Sequence, residues 1–219
     1  MSSAEKAVVL ISGGQDSATC LAWAMQQGWQ LNAVMFDYGQ RHIIELASAK
    51  TLCDQQQVPY KVIEVPQFQV LTQNALTHDL PIEDIDKGLP STFVPGRNLL
   101  FLNLAGMLAY QIGAQHLVTG VCQTDFSGYP DCREAFIQSA EQTLSLAMDY
   151  AVKIHTPLMF LSKAETVQMM QALGCLEWYA DTHTCYEGTR PACGKCPACL
   201  LRLKGFEEAG FTDPLAYAV

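Results

Sequence analysis

Positive charge is scarce in this chain. Thirteen Lys and Arg stand against 22 Asp and Glu, a formal net charge of −9 over 219 residues. The basic residues are scattered, so the sequence argues against a general nucleic-acid binder. An anionic ligand would have to be held by local donors, because the overall field repels it. Long apolar runs are also missing. None reaches the ~18 residues of a membrane span, and residues 99–108 are interrupted by Asn103 and Gly106. Met1-Ser2-Ser3-Ala4-Glu5-Lys6 carries no signal-peptide pattern. The expectation is a cytoplasmic protein with neither membrane nor nucleic acid as partner. Internal repeats and low-complexity segments are absent too. Hydrophobic residues still make up 49% of the chain, enough for a large core.

What the chain does have is a glycine turn in an informative place. Ala7-Val8-Val9-Leu10-Ile11 leads into Ser12-Gly13-Gly14-Gln15-Asp16-Ser17, and a helix-like run over 18–27 follows. Glycines permit φ > 0 and close backbone approach. A helix N-terminus behind them offers unpaired N–H groups and the positive end of a dipole. Ser12 and Ser17 place hydroxyls where phosphate oxygens would lie. No Lys follows the second glycine, as a Walker loop requires, and the spacing is not GxGxxG. An ordinary turn with Asp16 or Ser17 as N-cap is the alternative. Position after a first strand favours the phosphate loop, since ligands gather at strand C-terminal ends in open sheets.

Residues 6–11, 31–36 and 60–65 read as strands, with helices over 18–27 and 43–57 between them. That order predicts an α/β fold, a doubly wound parallel sheet with helices on both faces. A helix over 98–113, a strand over 115–121, a helix over 134–151, a short strand over 154–156 and a helix over 162–173 continue it. Ser162 and Glu165 form a capping box for the last of these. Residues 72–90, with Asp79, Glu83, Asp84 and Asp86, read either as a lid or as a solvated insertion. The expected division is an α/β domain over 1–181 and a small C-terminal metal-binding appendage over 182–219.

Nine cysteines in a cytosolic chain do not suggest a disulfide framework. Cys20, Cys53, Cys122, Cys132 and Cys175 are dispersed, while Cys185, Cys193, Cys196 and Cys199 crowd together. Four soft ligands suit one tetrahedral, structural Zn2+ per chain, with no open coordination position. An iron–sulfur cluster is the competing reading. His183 beside them reads as a neighbour of the site, since four thiolates already saturate zinc.

Three further groups carry candidate chemistry. Arg97 sits on the Pro95-Gly96 turn at a helix start, where it could grip a phosphate or carboxylate or stay solvated beside Asn98 as N-cap. The loop Asp125-Phe126-Ser127-Gly128-Tyr129-Pro130-Asp131-Cys132-Arg133 joins carboxylates, aromatics and an Arg. It suits a flat heterocycle with an amidine edge, or is a surface loop with Asp131 capping the next helix. Lys163 is a cation at a helix N-terminus, against the dipole, which a nearby phosphate would explain.

Ser12-Gly13-Gly14-Gln15-Asp16-Ser17 is similar to the pyrophosphate loop of ATP pyrophosphatases. Four further segments narrow the resemblance: Phe36-Asp37-Tyr38-Gly39-Gln40-Arg41-His42, Phe93-Val94-Pro95-Gly96-Arg97-Asn98, Thr119-Gly120-Val121 with the 125–133 loop, and Thr184-Cys185-Tyr186 with the distal cysteines. Together, over nearly the whole chain, they resemble the 7-cyano-7-deazaguanine synthases, ligases that form C–N bonds in queuosine biosynthesis. The resemblance implies conversion of 7-carboxy-7-deazaguanine, ammonia and ATP to the nitrile through adenylated carboxylate and amide. It implies ATP against Leu10, Ile11, Ser12, Gly13, Gly14, Gln15, Asp16, Ser17, Ala18, Thr19 and Cys20, with Mg2+ on the phosphates. Lys163, Arg97 and Arg41 would stabilise charge around them. Asp125, Phe126, Ser127, Tyr129, Asp131 and Arg133 would meet the base, with Asp131 or Asp125 reading its edge. A homodimer is also implied. Rival readings are a tRNA-modifying ATP pyrophosphatase and a non-catalytic, zinc-stabilised nucleotide-binding module.

Overall fold

The computed structural model describes residues 4–40, 43–78, 80, 89–123 and 128–218. Arg41, Asp125, Phe126 and Ser127 therefore lie outside the described residues, as do Asp79, Glu83, Asp84 and Asp86 of the acidic stretch.

Short β-branched and apolar runs build the centre. Strands β1 (Lys6–Leu10), β2 (Gln30–Asp37), β3 (Tyr60–Glu64), β4 (His116–Val118) and β5 (Lys153–His155) form one sheet in the order β3-β2-β1-β4-β5. Every pairing is parallel. The middle of β1, Ala7-Val8-Val9, is fully buried, as a strand covered on both faces must be. Alternate residues point to opposite faces, so Ala7 and Val9 enter one core and Val8 the other.

On the first face lie α1 (Gln15–Gln26), α2 (Ile43–Gln55) and α6 (Lys163–Ala172). The second face is covered by α3 (Gln67–Leu71), α4 (Arg97–Ile112) and α5 (Glu134–Met148). The sheet is thus doubly wound, as expected. The order turns around between β1 and β4, where the chain runs outward first through β2 and β3, then through β4 and β5. Such a switch point opens a crevice at the strands' C-terminal ends.

Three local outcomes differ from the sequence expectation. Helix α1 begins at Gln15, not at residue 18, with extended Gly14 in the capping position and no side-chain cap. Ser17, inside the first turn, turns its hydroxyl back to the Gly14 carbonyl oxygen at 3.0 Å. Strand β4 stops at Val118, because the chain then leaves the sheet and crosses over α1; a Cβ on Gly120 would lie 3.2 Å from the Asp16 backbone. From the last cysteines of the cluster a further helix, α7 (Pro197–Ala209), packs back against α6, and its Phe206 joins the first core. The capping box of α6 forms as expected, Ser162 with Glu165.

Candidate active site

An open cleft of about 320 Å³ lies at the switch point, the size of a small-molecule site. Leu10, Ile11 and Ser12 at the end of β1 line one wall, and Thr119, Gly120, Val121 and Cys122 after β4 line the other. Asp16 and Ser17 complete the wall on α1.

The loop is tied together before any ligand arrives. The Gly13 N–H donates to the Ser17 hydroxyl at 3.2 Å, and the Gly14 N–H to the Ser12 hydroxyl at 3.4 Å. Ser12 donates on to Ser17 at 3.2 Å. Gly13, at φ +90°, rests on α2 so closely that a Cβ would stand 2.0 Å from the Glu45 carbonyl oxygen. The chain also closes over the loop from far away: the His183 N–H donates to the Gly13 carbonyl at 2.8 Å. These contacts aim the uncapped N-terminus of α1 into the cleft, an arrangement that receives anions.

Lys163 reaches this end from α6, with its ammonium 2.7 Å from Asp16 Oδ2. Both side chains are largely buried, and Asp16 Oδ1 is buried with no hydrogen-bond partner among the described residues. Gly205 of α7 allows the approach, since a Cβ there would stand 2.7 Å from Lys163 Cβ. The counter-charge that Lys163 needs at a helix N-terminus is thus partly supplied by the loop itself.

The other end of the cleft is aromatic. Phe36 stacks on Phe101 with ring centres 4.1 Å apart, and Tyr38 lies 5.5 Å from Phe101. Arg97, first residue of α4 after left-handed Gly96, holds its guanidinium 5.9 Å over the Tyr129 ring. Burial works against that charge, but the acidic groups around it, Asp131 among them, outweigh it, so Arg97 stays a cation. Glu45 of α2 and Tyr186 also line this end. Burial pushes the Glu45 carboxyl up to about 7, with Arg97 pulling partly against it.

The expected residues thus divide. Leu10, Ile11, Ser12, Asp16, Ser17, Arg97 and Tyr129 meet in the cleft, and Lys163 reaches it through Asp16. Gly13 and Gly14 supply backbone behind it. Gln15, Ala18, Thr19 and Cys20 are buried in the helix, and burial holds the Cys20 thiol well above its ordinary value. Asp131 is buried beneath α4: its Oδ2 accepts the Asn98 N–H at 3.1 Å and its own carbonyl accepts from Asn98 Nδ2. It therefore caps α4, not the following helix, whose capping position is Arg133. Arg133 is exposed and does not line the cleft. Sequence reasoning does not single out Tyr38, Glu45, Phe101 or Tyr186 as binding residues. For Tyr38 and Tyr186, membership of the family-like segments is the only signal.

Away from the cleft, the sulfurs of Cys185, Cys193, Cys196 and Cys199 lie within 4.8 Å of one another. Four thiolates around one tetrahedral ion at ~2.3 Å would stand ~3.8 Å apart, and Cys193 and Cys199 are 3.9 Å apart. The N–H groups of Tyr186, Cys193 and Cys196 each point at a cluster sulfur at 3.3–3.4 Å, as donors to thiolates do. The cluster could hold a metal ion. No helix among the described residues is long and apolar enough to cross a membrane.

Comparison with known proteins agrees with this architecture. A solved 4-thiouridine synthetase–RNA complex with bound ATP superposes with a TM-score of 0.51 at 17% identity, covering 94% of this chain and 50% of that one, which shows the shared fold. The chain is 53% identical over 217 residues to the 7-cyano-7-deazaguanine synthase of Chromobacterium violaceum, covering 96% of this chain and 93% of that protein. The Bacillus subtilis enzyme of the same name is 52% identical over 207 residues, covering 93% and 94%. The family model described as "Queuosine biosynthesis protein QueC" matches residues 6–210. With the whole α/β body and the cysteine cluster inside that match, the chain belongs to the QueC family of queuosine biosynthesis proteins.

Proposed function

We propose that the cleft converts 7-carboxy-7-deazaguanine, ammonia and ATP into 7-cyano-7-deazaguanine. One observation carries the reading: an uncapped helix N-terminus with a charged Lys163–Asp16 pair adjoins an aromatic pocket containing Arg97. The first arrangement suits a triphosphate, the second a flat, negatively substituted heterocycle.

A carboxylate resists attack by ammonia because its oxygen is a poor leaving group. Its oxygen attacks the ATP α-phosphorus, and pyrophosphate leaves. Ammonia then attacks the acyl carbon, AMP leaves, and a proton is lost, giving the amide. The amide oxygen attacks a second ATP, again releasing pyrophosphate. Loss of AMP and a proton from the imidate leaves C≡N. The chain's work is placement and charge: Ser12, Ser17 and the first-turn N–H groups of α1 hold the departing pyrophosphate, and Lys163 and Arg97 stabilise charge developing around phosphorus. Arg41 is proposed for the same task. Among the base-loop candidates, Tyr129 stacks the heterocycle; Phe126 and Ser127 are proposed beside it. Mg2+ travels on the ATP phosphates, and the partnerless Asp16 Oδ1 is fit to hold it. No cysteine nucleophile is needed.

The four-cysteine cluster takes structural zinc in this reading, because four soft donors leave no open position. Residues 182–219 form the metal-bearing part and 1–181 the ATP-pyrophosphatase-type part. The setting proposed is the cytoplasm, with a free base as substrate and neither nucleic acid nor membrane as partner. Leu99, Met107 and Tyr110, exposed along one side of α4, support a homodimer.

The test supplies the carboxylated base, ammonia and Mg-ATP to the purified protein. Nitrile, AMP and pyrophosphate should appear by mass spectrometry, and Asp16→Ala should abolish all three while the protein stays folded. ATP binding without AMP formation would indicate a non-catalytic module, and undiminished AMP formation by Asp16→Ala would refute the loop's role.

A further inference from the structure

The described lining of the cleft holds two carboxylates, Asp16 and Glu45. Asp16 sits at the phosphate end, on α1, with its Oδ2 paired to Lys163. Glu45 is acted on by burial and by the Arg97 charge, and no hydrogen bond among the described residues takes up its carboxylate. Its place is fixed, because α2 is pressed against the phosphate loop at Gly13.

The polar groups electrostatically coupled to this part of the cleft are mostly donors. Arg97 can only donate. Burial pushes Tyr38 and Tyr129 up, so both keep their protons at neutral pH. An ionised carboxylate is acceptor-only, with two oxygens side by side. An amidine edge presents two N–H donors side by side, the complementary pattern, and charged acceptors make the stronger hydrogen bonds. Asp131 does not line the cleft, and its Oδ2 is taken by the Asn98 N–H under α4.

We propose that Glu45 reads the amidine edge of the base, accepting its ring N–H and its exocyclic amino group, and so sets the specificity of the pocket. The assignment rests on the reaction proposed above. The base then packs against the aromatic rings of the cleft, and Arg97 matches the negative charge of its carboxylate. A carboxylate held up by burial gains when two N–H groups arrive, so correct base and ionised Glu45 stabilise each other.

Steady-state kinetics on the full chain test this with 7-carboxy-7-deazaguanine and its analogue lacking the exocyclic amino group. Wild type should favour the full base over the analogue by roughly ten- to a hundredfold in kcat/KM. Glu45→Gln should raise KM for the base by a similar factor, leave KM for ATP within about twofold, and lose most of the discrimination. Glu45→Asp, which keeps the carboxylate, should bind more weakly yet retain discrimination; it also serves if Glu45→Gln folds poorly. Discrimination preserved in Glu45→Gln overturns the assignment. So does its loss in Asp125→Asn with Glu45 intact, or a Glu45→Gln defect confined to the ammonia dependence. Failure of wild type to make nitrile would instead overturn the reaction itself.

Discussion

Replacing Gly13 with alanine isolates the contact on which the cleft is built. Two costs arise together. At φ +90° an L-residue carries a left-handed penalty of about 1–2 kcal/mol. The new Cβ would also stand 2.0 Å from the Glu45 carbonyl oxygen and 2.9 Å from the Ala49 nitrogen. Both are helix backbone, so no side chain can swing away. Overpacking of that kind costs about 1–3 kcal/mol. The sum, ~2–5 kcal/mol, lowers the melting temperature of a chain this long by ~4–20 °C. Gly28 is the control: it has φ +74° but nothing among the described residues within 4 Å of where its Cβ would stand, so Gly28→Ala carries the dihedral cost alone, ~2–8 °C by the same conversion. Calorimetry gives the melting temperatures and titration with ATP gives the affinities. Gly13→Ala should also lose ATP binding, because relief of the clash moves an N–H bonded to Ser17 and a carbonyl bonded to His183. Equal melting losses for the two variants, with ATP affinity intact in both, would refute the close approach.

Two other perturbations probe the C-terminal part. Arg202 and Asp213 are almost fully buried and paired bidentately, at 2.7 and 2.8 Å, while Arg202 also donates to Thr182 and to the Tyr179 carbonyl. Asp213→Asn leaves a buried guanidinium short of its counter-charge, and thermal melting should show a loss of ~3 kcal/mol, or ~6–12 °C. A loss no larger than that of an exposed pair such as Lys204–Glu208 would contradict it. Removing the metal with a chelator, or one ligand through Cys196→Ser, should lower melting further than Asp213→Asn, since a four-thiolate site contributes on the order of 10 kcal/mol to a segment with little apolar core. Metal analysis alongside should give zinc; iron with visible absorbance that bleaches on reduction would replace it with a cluster.

The alternation of strands and helices, the phosphate loop and the cysteine cluster are legible in the sequence because each is local. Strand runs, two glycines before a helix, and thiols a few residues apart all announce themselves within about ten positions. Glu45 does not, since an acid in a helix's first turn is ordinary dipole chemistry; only folding places it beside Arg97 and the tyrosines. Asp131 reads in sequence as the cap of the helix that follows it, whereas its carboxylate caps α4. Helix α7 is hidden for a different reason. Its buried positions include Cys199, Arg202 and Gly205. A thiol, a cation and a glycine erase the apolar periodicity by which a packed helix is recognised.

That hidden helix bears on the chemistry more than its distance from the loop suggests. Arg202 holds Thr182 and the Tyr179 carbonyl, and Tyr179 bonds Thr19 inside α1 at 2.6 Å. The residue after Thr182, His183, donates to Gly13, and Thr184 lies in van der Waals reach of a Cβ on Gly14. Gly205, on the same helix, gives Lys163 room to approach Asp16. Two routes therefore run from the segment that bears the cysteines to the two sides of the phosphate loop, one through its backbone and one through its counter-charge. A metal held by Cys185, Cys193, Cys196 and Cys199 would fix both the approach of α7 and the segment of chain carrying His183 to Tyr186. Such a metal would touch no reacting atom, yet the geometry of the proposed pyrophosphate grip would depend on the chain it holds.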